Sequence, residues 1–388
     1  MNSKYTTSRH HGYVYFDKNS FFNHYYRKNK SVPGKNKGVA LITALLIVSL
    51  ATIMAVSLMS RQYMDIRRTG NIMTSDQAYL QALTMETSAA NLLAFARKEL
   101  PDKFDNKEVF DQAILGLNAN AMQVGENEAK VSLELMYPEA LFNVNALIKE
   151  DGKPNEIQKK RYRVLLNEVL RDLDEPADVD ALVASLLDWI DADEEESADG
   201  GAEDSVYESK ETPYKAANRM MSSISELQLV EGYTPRILFG IPKDEKDENS
   251  EAIPGILHYV SALPERDTKL NVNLMSEPKI VQSLSIYISK EIADAIIAGQ
   301  PFEDIGKFRD HEAWNDLDGF ADKKGNWKDV MDVLKAPESN LEVGSTYFVA
   351  KSTASLGKSV FILNSLVYVK DDGTKLEVIS RAIGTSGI

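Results

Sequence analysis

The densest group of residues able to bind a metal lies in residues 188–211. This stretch of 24 residues holds 11 Asp and Glu side chains and one basic residue, Lys210. Carboxylates this close together repel one another by about 1 kcal/mol per pair at about 4 Å in water. A hard cation relieves that repulsion, and Ca²⁺ takes about six to eight oxygen ligands in flexible loops. With backbone carbonyls, the candidate ligands are Asp191, Asp193, Glu203, Asp204 and Asn218.

The spacing of these acids does not match the EF-hand calcium loop. Asp191 and Asp193 occupy its first and third positions, but Glu196 stands where that loop requires Gly, and Ala202 stands where it requires a bidentate Glu. Spacing alone therefore leaves two interpretations open, a calcium-binding loop and an acidic loop that is only solvated. Residues 194–196 are expected to face solvent in either case.

The composition of the chain argues against catalysis. The 388 residues include no Cys and five His, and His10, His11 and His24 fall within the first 38 residues. Thiolate ligands, disulfides and Cys nucleophiles are therefore excluded, and zinc hydrolysis and Ser-His-Asp chemistry are disfavoured. Acids crowded in one loop also differ from the separated acid and nucleophile of a glycosidase. The sequence predicts a protein that is not an enzyme.

Charge is divided unevenly along the chain. Residues 1–38 contain eight Lys or Arg and one acid, Asp17, whereas the remaining 350 residues contain 36 basic and 58 acidic residues. The net charges are +7 and −22, respectively. Affinity for nucleic acids comes mainly from Lys and Arg that neutralise phosphates. The acidic body is therefore not expected to bind nucleic acid.

An uncharged segment of 22 residues, residues 39–60, follows the basic leader. A helix with a rise of about 1.5 Å per residue would span roughly 33 Å here, enough for a hydrocarbon core of about 30 Å. Because Lys35 and Lys37 precede the segment, the positive-inside rule keeps its N-terminal side in the cytoplasm. Residues 61–388 are then expected on the opposite side of the membrane from the cytoplasm. A cleaved secretory signal is a weaker alternative, because the run is long for the apolar part of a signal peptide.

The junction at residues 37–46 resembles a type IV prepilin leader, because a basic stretch and a Gly stand directly before the apolar segment. This resemblance implies that a prepilin peptidase cuts after Gly38 and methylates the new N-terminal residue, Val39. The apolar segment would remain as a membrane anchor and filament stem. Pilins and most pseudopilins carry Glu at the fifth mature position, whereas this chain has Thr43. A carboxylate in hydrocarbon is normally kept for a partner, so Thr43 fits a subunit with no other above it.

Further segments resemble the K-type minor pseudopilin of the type II secretion system, the general secretion pathway protein K family. They include the acidic motif at residues 188–193, the Asn-Val-Asn motifs at residues 142–147 and 270–275, and the Tyr-Phe-Val sequence at residues 347–349. This resemblance implies a subunit at the pseudopilus tip that initiates and caps assembly for protein export across the outer membrane. It also favours calcium over a solvated loop at residues 188–211.

The same resemblance implies the partners and the location. The partners would be the I- and J-type minor pseudopilins and the pseudopilus, the prepilin peptidase, and the inner-membrane secretion platform. The chain would be a single-pass inner-membrane protein with its C-terminal body in the periplasm, and it would reach the pseudopilus tip after assembly. Two other functions fit the same features: a membrane-anchored periplasmic binding module, and a minor pilin of a type IV pilus or uptake system.

The order of predicted elements indicates an α+β fold. A pilin-like N-terminal long helix and an antiparallel β-sheet would carry a large, mostly α-helical inserted domain, because strand patterns precede and follow a helical block. The expected parts are a removed basic leader (1–38), the transmembrane part of the stem helix (39–60), the rest of the stem and the first strand (61–137), the inserted domain with its acidic loop (138–340) and the C-terminal strands (341–388). Within the inserted domain, helices are expected at residues 159–173, 178–190 and 290–298, and short ones within residues 263–284.

Several smaller features are also predicted. The aromatic side chains Trp189, Tyr207 and Tyr214 bracket the acidic loop and are expected to anchor the core rather than to bind a ligand. Asn145 and Asn273 stand just before apolar runs and are expected to be helix N-caps. A hairpin turn is expected at residues 371–373.

Overall fold

The computed structural model describes residues 37–99, 130–244, 250–319, 323–357, 359–370 and 376–384. The first described element is a helix of 63 residues, α1 (Lys37–Glu99), and its first part is long and apolar enough to cross a membrane. The side chains of residues 39–60 are all exposed. The chain divides into two compact units, Met1–Arg67 and Arg68–Ile388, so the boundary falls within α1.

A four-stranded antiparallel sheet packs against the later part of α1. Its strands follow one another in the order β1 (Lys130–Met136), β2 (Tyr347–Leu356), β3 (Ser359–Val369) and β4 (Leu376–Ile383). Burial alternates along β1, as period-two patterning requires for a strand with one covered face. On α1, an apolar stripe with spacings of three and four residues covers that face: Ala78, Ala82, Met85, Ala89, Leu93 and Ala96.

A large, mostly helical region lies between β1 and β2, although these two strands are neighbours in the sheet. Its described α-helices are α2 (Glu156–Leu173), α3 (Val179–Ile190), α4 (Asp204–Tyr207), α5 (Pro235–Phe239), α6 (Pro278–Gln282), α7 (Lys290–Ala298), α8 (Ile305–Arg309) and α9 (Lys323–Lys335). Its described 3₁₀ helices are Pro138–Ala140, Val144–Leu147, Ile224–Leu229, Ile256–His258, Glu312–Gly319 and Pro337–Ser339.

Among its described residues, three pairs of two-residue strands brace this inserted domain. Phe142–Asn143 pairs with Val260–Ser261, Gly240–Ile241 with Ile253–Pro254, and Leu270–Asn271 with Leu341–Glu342. The domain has its own hydrophobic core, separate from the core between α1 and the sheet. The predicted fold class, a long helix and an antiparallel sheet that carry an inserted helical domain, is confirmed.

Helix α3 begins at its predicted position, whereas α2 begins earlier than predicted, and each helix has a capping side chain at its N-terminus. Asn155 caps α2 by accepting a hydrogen bond from the Gln158 amide, so the helix begins three residues earlier than the predicted residue 159. Asp178 caps α3, since its Oδ1 accepts hydrogen bonds from the amides of Asp180 and Ala181. A carboxylate at this position also interacts favourably with the helix dipole.

The prediction of short helices within residues 263–284 is correct only at α6. Before α6 the chain forms turns and the short strand Leu270–Asn271, whose backbone pairs with the segment that leads into β2. The Leu270 amide donates to the Asn340 carbonyl at 2.7 Å, and the Val272 amide donates to the Glu342 carbonyl at 2.8 Å. Apolar spacing alone did not indicate this long-range pairing. The sequence also did not predict α9, and the turn predicted at residues 371–373 lies outside the described residues.

The prediction that Asn145 and Asn273 are N-caps is wrong. In each Asn-Val-Asn motif the first Asn makes a hydrogen bond within the motif. Asn143 Oδ1 accepts from the Asn145 amide, and Asn271 Oδ1 accepts from the Asn273 amide. The second Asn instead bonds to a distant segment. Asn145, which is fully buried, accepts from the Met221 amide at 2.8 Å and donates to the carbonyls of Met221 and Leu263.

Asn273 does the same at the other motif. Its Oδ1 accepts from the Phe302 amide at 2.6 Å, and its Nδ2 donates to the Phe302 carbonyl at 2.9 Å. The two motifs are therefore cross-links within the inserted domain, since a buried amide must satisfy both its donor and its acceptor.

Candidate metal centre

The candidate metal centre forms where α3 ends. Residues 182–190 of this helix are all buried in the core, and Trp189 and Ile190 are 3% and 0% exposed. Asp188 lies in the same buried part of the helix and is 0% exposed. The Asp191 amide closes the helix by donating to the Leu187 carbonyl at 2.9 Å. The loop that follows returns over Asp188, because the Ser197 amide donates to Asp188 Oδ2 at 3.1 Å.

Gly201 lets this loop pass close to the buried aspartate. A Cβ atom added to Gly201 would lie 2.0 Å from Asp188 Oδ2 and 2.8 Å from the Ser197 amide nitrogen. Both distances are shorter than real Cβ contacts. Only a residue without a side chain fits at this position while the loop is closed.

Five buried side-chain oxygens at this site have no hydrogen-bond partner among the described residues. They are Asp188 Oδ1, Asp191 Oδ1, both carboxylate oxygens of Glu203, and Asn218 Oδ1. A buried acceptor without a partner costs about 1–3 kcal/mol, and more when it is charged. Native structures keep such groups rare, and a cluster of them is what a binding site for a cation or a hydrogen-bond donor would present.

The electrostatics of the site point the same way. Burial, with the nearby charges of Asp193 and Asp188, raises the pKa of Asp191 to about 7. Burial, with the charges of Asp188, Asp191 and Asp193, likewise raises the pKa of Glu203 to about 7. A partly compensating cation is present: Arg266 lies near Asp191 and donates from Nη2 to the Ile190 carbonyl at 3.3 Å. The carboxylates of the site therefore oppose one another's ionisation, and a bound cation would relieve that repulsion.

The predicted ligands do not all take part in this cluster. Asp191, Glu203 and Asn218 contribute unpartnered oxygens, and Asn218 Nδ2 donates to the Asp193 carbonyl at 2.9 Å. The Asp193 carboxylate is turned into its own loop, where Oδ1 accepts from the Glu195 amide at 2.9 Å.

Asp204 is engaged elsewhere. Its carboxylate accepts from the Ala216 amide at 2.9 Å and pairs with Lys215 Nζ at 2.5 Å. The structure adds Asp188, which spacing did not suggest. The available signal was a charged residue on the apolar face of α3.

The donor set fits a hard cation. All candidate side-chain donors are carboxylate or amide oxygens, the ligand type that Ca²⁺ prefers. In the described ranges, no three His, Asp or Glu side chains stand close enough to hold a metal by themselves. An ion here would therefore depend on the Asn218 amide, backbone carbonyls and water as well as on Asp188, Asp191 and Glu203.

The aromatic side chains near the loop are core anchors, as predicted. Tyr207 is 0% exposed and makes an edge contact with Trp189 at 5.2 Å between ring centroids. Tyr207 and Tyr214 stack at 5.3 Å. The Tyr207 hydroxyl accepts from the Glu231 amide at 3.3 Å, so its polar end is also satisfied. These contacts hold the loop against the end of α3.

The residues predicted for processing lie in the first turns of α1. Gly38 and Val39 are exposed helical residues, and a Cβ at Gly38 would meet no atom within 4 Å. Thr43 donates its hydroxyl to the Ala40 carbonyl of the same helix at 3.0 Å. Its polar group is therefore satisfied within α1 itself.

The comparisons with known proteins agree with one another. A family model described as "Type II secretion system (T2SS), protein K" matches residues 140–240, the part that contains the acidic cluster. The chain is 31% identical over 362 residues to the type II secretion system protein K of Pseudomonas aeruginosa, covering 92% of this chain and 95% of that protein. It is 24% identical over 366 residues to the protein of the same name from Aeromonas hydrophila, covering 89% and 97%.

A solved structure shows the same fold. The match is a chain in the crystal structure of the GspK-GspI-GspJ complex from the enterotoxigenic Escherichia coli type 2 secretion system, with a TM-score of 0.53 and 21% sequence identity. It covers 80% of this chain and 99% of that chain. From these relatives and the stem, sheet and inserted domain described above, we conclude that the chain belongs to the type II secretion system protein K family, the K-type minor pseudopilins.

Proposed function

We propose that this protein is the tip subunit of the type II secretion pseudopilus, where it initiates and caps assembly for protein export across the outer membrane. The observation that carries the proposal is the hydrogen bond of the Thr43 hydroxyl. This hydroxyl bonds to its own helix at Ala40, so α1 offers no unpaired polar group at the position where most pseudopilins carry Glu. A polar group inside a membrane normally requires a partner. A stem that needs none suits the last position in the filament.

The inserted domain supports a capping role by its size and place. It lies between β1 and β2, at one end of the sheet that α1 covers, and it has its own hydrophobic core. A rigid body of this kind would obstruct a further subunit above it. Gly38 and Val39 are exposed at the start of the apolar part of α1, where a prepilin peptidase would cut and methylate the chain.

The proposed partners are those suggested by the similar chain whose structure has been solved. That chain forms a complex with GspI and GspJ, and we expect this protein to assemble with the corresponding I- and J-type subunits and with the inner-membrane platform. Before assembly it would be a single-pass inner-membrane protein with its body in the periplasm, as the apolar part of α1 and the preceding Lys residues suggest.

Calcium is the proposed cofactor of the inserted domain. Asp188, Asp191, Glu203 and Asn218 would hold it, since their buried oxygens have no other partner among the described residues. A bound Ca²⁺ supplies two positive charges to the carboxylate cluster. The residues themselves join the end of α3 to the start of α4 and to the segment at Asn218. The site would therefore stabilise the loop that closes over Asp188.

Immunogold labelling tests the tip position. Pseudopili from cells that overproduce the major subunit are labelled with an antibody against the inserted domain. We expect gold at one end of each filament, and the same cells without this protein should form few filaments. Gold distributed along the filament shaft would contradict a capping role. Co-purification with type IV pilus components, and not with secretion components, would indicate the minor pilin alternative.

A further inference from the structure

A groove of about 580 Å³ opens on the inserted domain, away from the acidic cluster. One side is the face of α2 formed by Ile157, Arg161 and Val164, whose spacing of four and three residues places them in a row. The opposite side belongs to α9, where Asp329, Asp332 and Val333 lie within one turn. The turn between α6 and α7, at residues 283–287, completes the groove.

The groove has an apolar lining that no described element covers. Ile157, Val164, Tyr287 and Val333 are each only half-buried, and Ile286 is 69% exposed at the turn. Ile286 therefore continues the apolar lining at the rim of the groove. Two helices that flank an apolar floor provide the shape that receives a helix.

Arg161 supplies a second, independent observation. The residue is 3% exposed, and only its Nη1 has a hydrogen-bond partner, the Ser339 carbonyl. Its Nε and Nη2 have no partner among the described residues, where no ion pair joins it to a carboxylate. Arg163, by contrast, is paired with Asp180 at 2.6 Å. A buried cation without a counter-charge is costly, so it is normally paired.

Charge is separated across the groove. The α2 side carries Lys160 and Arg161, and the α9 side carries Asp329 and Asp332. A segment lying between them would be favoured if its acidic flank faced α2. Lys160 is exposed and lines the groove, so a carboxylate on this side would meet an accessible cation.

We propose that this groove is a docking site for an amphipathic helix of a partner protein, with its apolar stripe on Ile286 and Val333 and its acidic flank on Lys160. The acidic flank also brings negative charge to the side of the groove where Arg161 has no counter-charge within the described chain. The surface is separate from the sheet and from the stem helix.

The test uses two synthetic helical peptides of about 18 residues with the same leucine stripe. One carries Glu along one flank of the stripe, and the other carries Lys at the same positions. Binding to the full chain in neutral-lipid nanodiscs is measured by fluorescence anisotropy, with empty nanodiscs as the background. We expect the Glu peptide to bind at least about tenfold more tightly than the Lys peptide.

Lys160→Glu is the decisive variant, because Lys160 is exposed and its replacement does not endanger folding. It should weaken the Glu peptide about tenfold and tighten the Lys peptide. Lys153→Glu, which makes the same charge change at an exposed site outside the groove, should leave both affinities unchanged. Arg161→Met, which leaves Lys160 in place, should reduce the preference for the Glu peptide. Equal binding of the two peptides, no binding of either, or an equal effect of the Lys153 variant would overturn the proposal.

Discussion

The Glu139 carboxylate accepts a hydrogen bond from the Thr346 amide at 2.8 Å and another from the Thr346 hydroxyl at 3.0 Å. Glu139 lies just after β1, where the chain leaves the sheet, and Thr346 lies just before β2, where it returns. The same carboxylate accepts from the Tyr347 amide at 3.1 Å. Glu139 is 3% exposed. One buried side chain therefore joins both chain crossings between the sheet and the inserted domain.

Replacing Glu139 by Gln should destabilise the protein by about 1–3 kcal/mol. The amide retains one acceptor oxygen, but its NH₂ group would face a donor in a buried site, which leaves polar groups unsatisfied. Urea unfolding of the full chain followed by circular dichroism measures the loss. Glu134→Gln is the matched control, because Glu134 pairs with Lys351 on the exposed sheet surface and should cost less than about 1 kcal/mol. Equal losses for the two variants would contradict the junction role of Glu139.

Calcium should stabilise the folded chain, and the buried carboxylate oxygens of the proposed site should determine its affinity for calcium. At a free Ca²⁺ concentration about 100-fold above Kd, the gain is about 2.7 kcal/mol. Asp188→Asn and Glu203→Gln should lower the affinity at least about tenfold and, without calcium, should raise the stability, because they relieve repulsion between carboxylates. Calorimetric titration and thermal melts with calcium or a chelator measure both effects.

Two control variants separate the proposed ligands from their neighbours. Glu194→Gln changes an exposed acid in the same loop, and Asp204→Asn changes an acid that is already paired with Lys215. Both should change calcium affinity less than about threefold, as expected for charges outside the site. A large loss for Asp204→Asn, with no effect of Asp188→Asn, would return the site to the ligand set expected from the sequence.

Without calcium, the stability of the protein should fall as the pH rises from about 5 to about 7. The folded pKa values of Asp191, Glu203 and Glu139 are each raised to about 7, so the folded state binds more protons than the unfolded state in this range. Calcium requires the deprotonated carboxylates, so its affinity should increase with pH over the same range. Melting temperatures at several pH values, with and without calcium, test both trends. A stability that rises with pH in the presence of chelator would show that these carboxyls are not the dominant groups.

Thr43→Glu should reduce secretion, whereas Thr43→Val should not. A carboxylate in the apolar part of α1 costs on the order of 2–3 kcal/mol when it has no partner, and a tip subunit has no neighbour above it to provide one. Val removes the hydroxyl but keeps the size, and the Thr43 hydroxyl bonds only to its own helix in the described chain. Export of a secreted enzyme and the number of pseudopili per cell provide the readouts. Full activity of Thr43→Glu would show that this position does not determine where the subunit sits.

Local patterns predicted the fold where neighbours in sequence determine it. Burial alternates along β1 as its sequence does, and α3 lies at the predicted residues, where Asp178 caps it. Prediction failed where contacts with distant segments of the chain determine the role of a residue. Asn145 and Asn273 resemble local caps, but their partners Met221, Leu263 and Phe302 lie far along the chain.

The candidate site shows the same division. Its location at the end of α3 followed from the density of acids. The set of residues that form the site did not follow from this density, because Lys215 pairs with Asp204 and the returning loop covers Asp188. Spacing along the chain cannot show which carboxylates an approaching Lys neutralises. Asp188 itself was visible only as a charge on an apolar helix face.

The most direct test of the central claim is the mature N-terminus of the protein. The full-length chain is extracted from membranes of cells with and without prepilin peptidase, and its N-terminus and intact mass are determined. We expect a mature chain that starts at methylated Val39, formed only when the peptidase is present. An uncut chain, or one that starts near Leu58, would contradict assembly as a pseudopilin and would leave an anchored or secreted acidic binding domain.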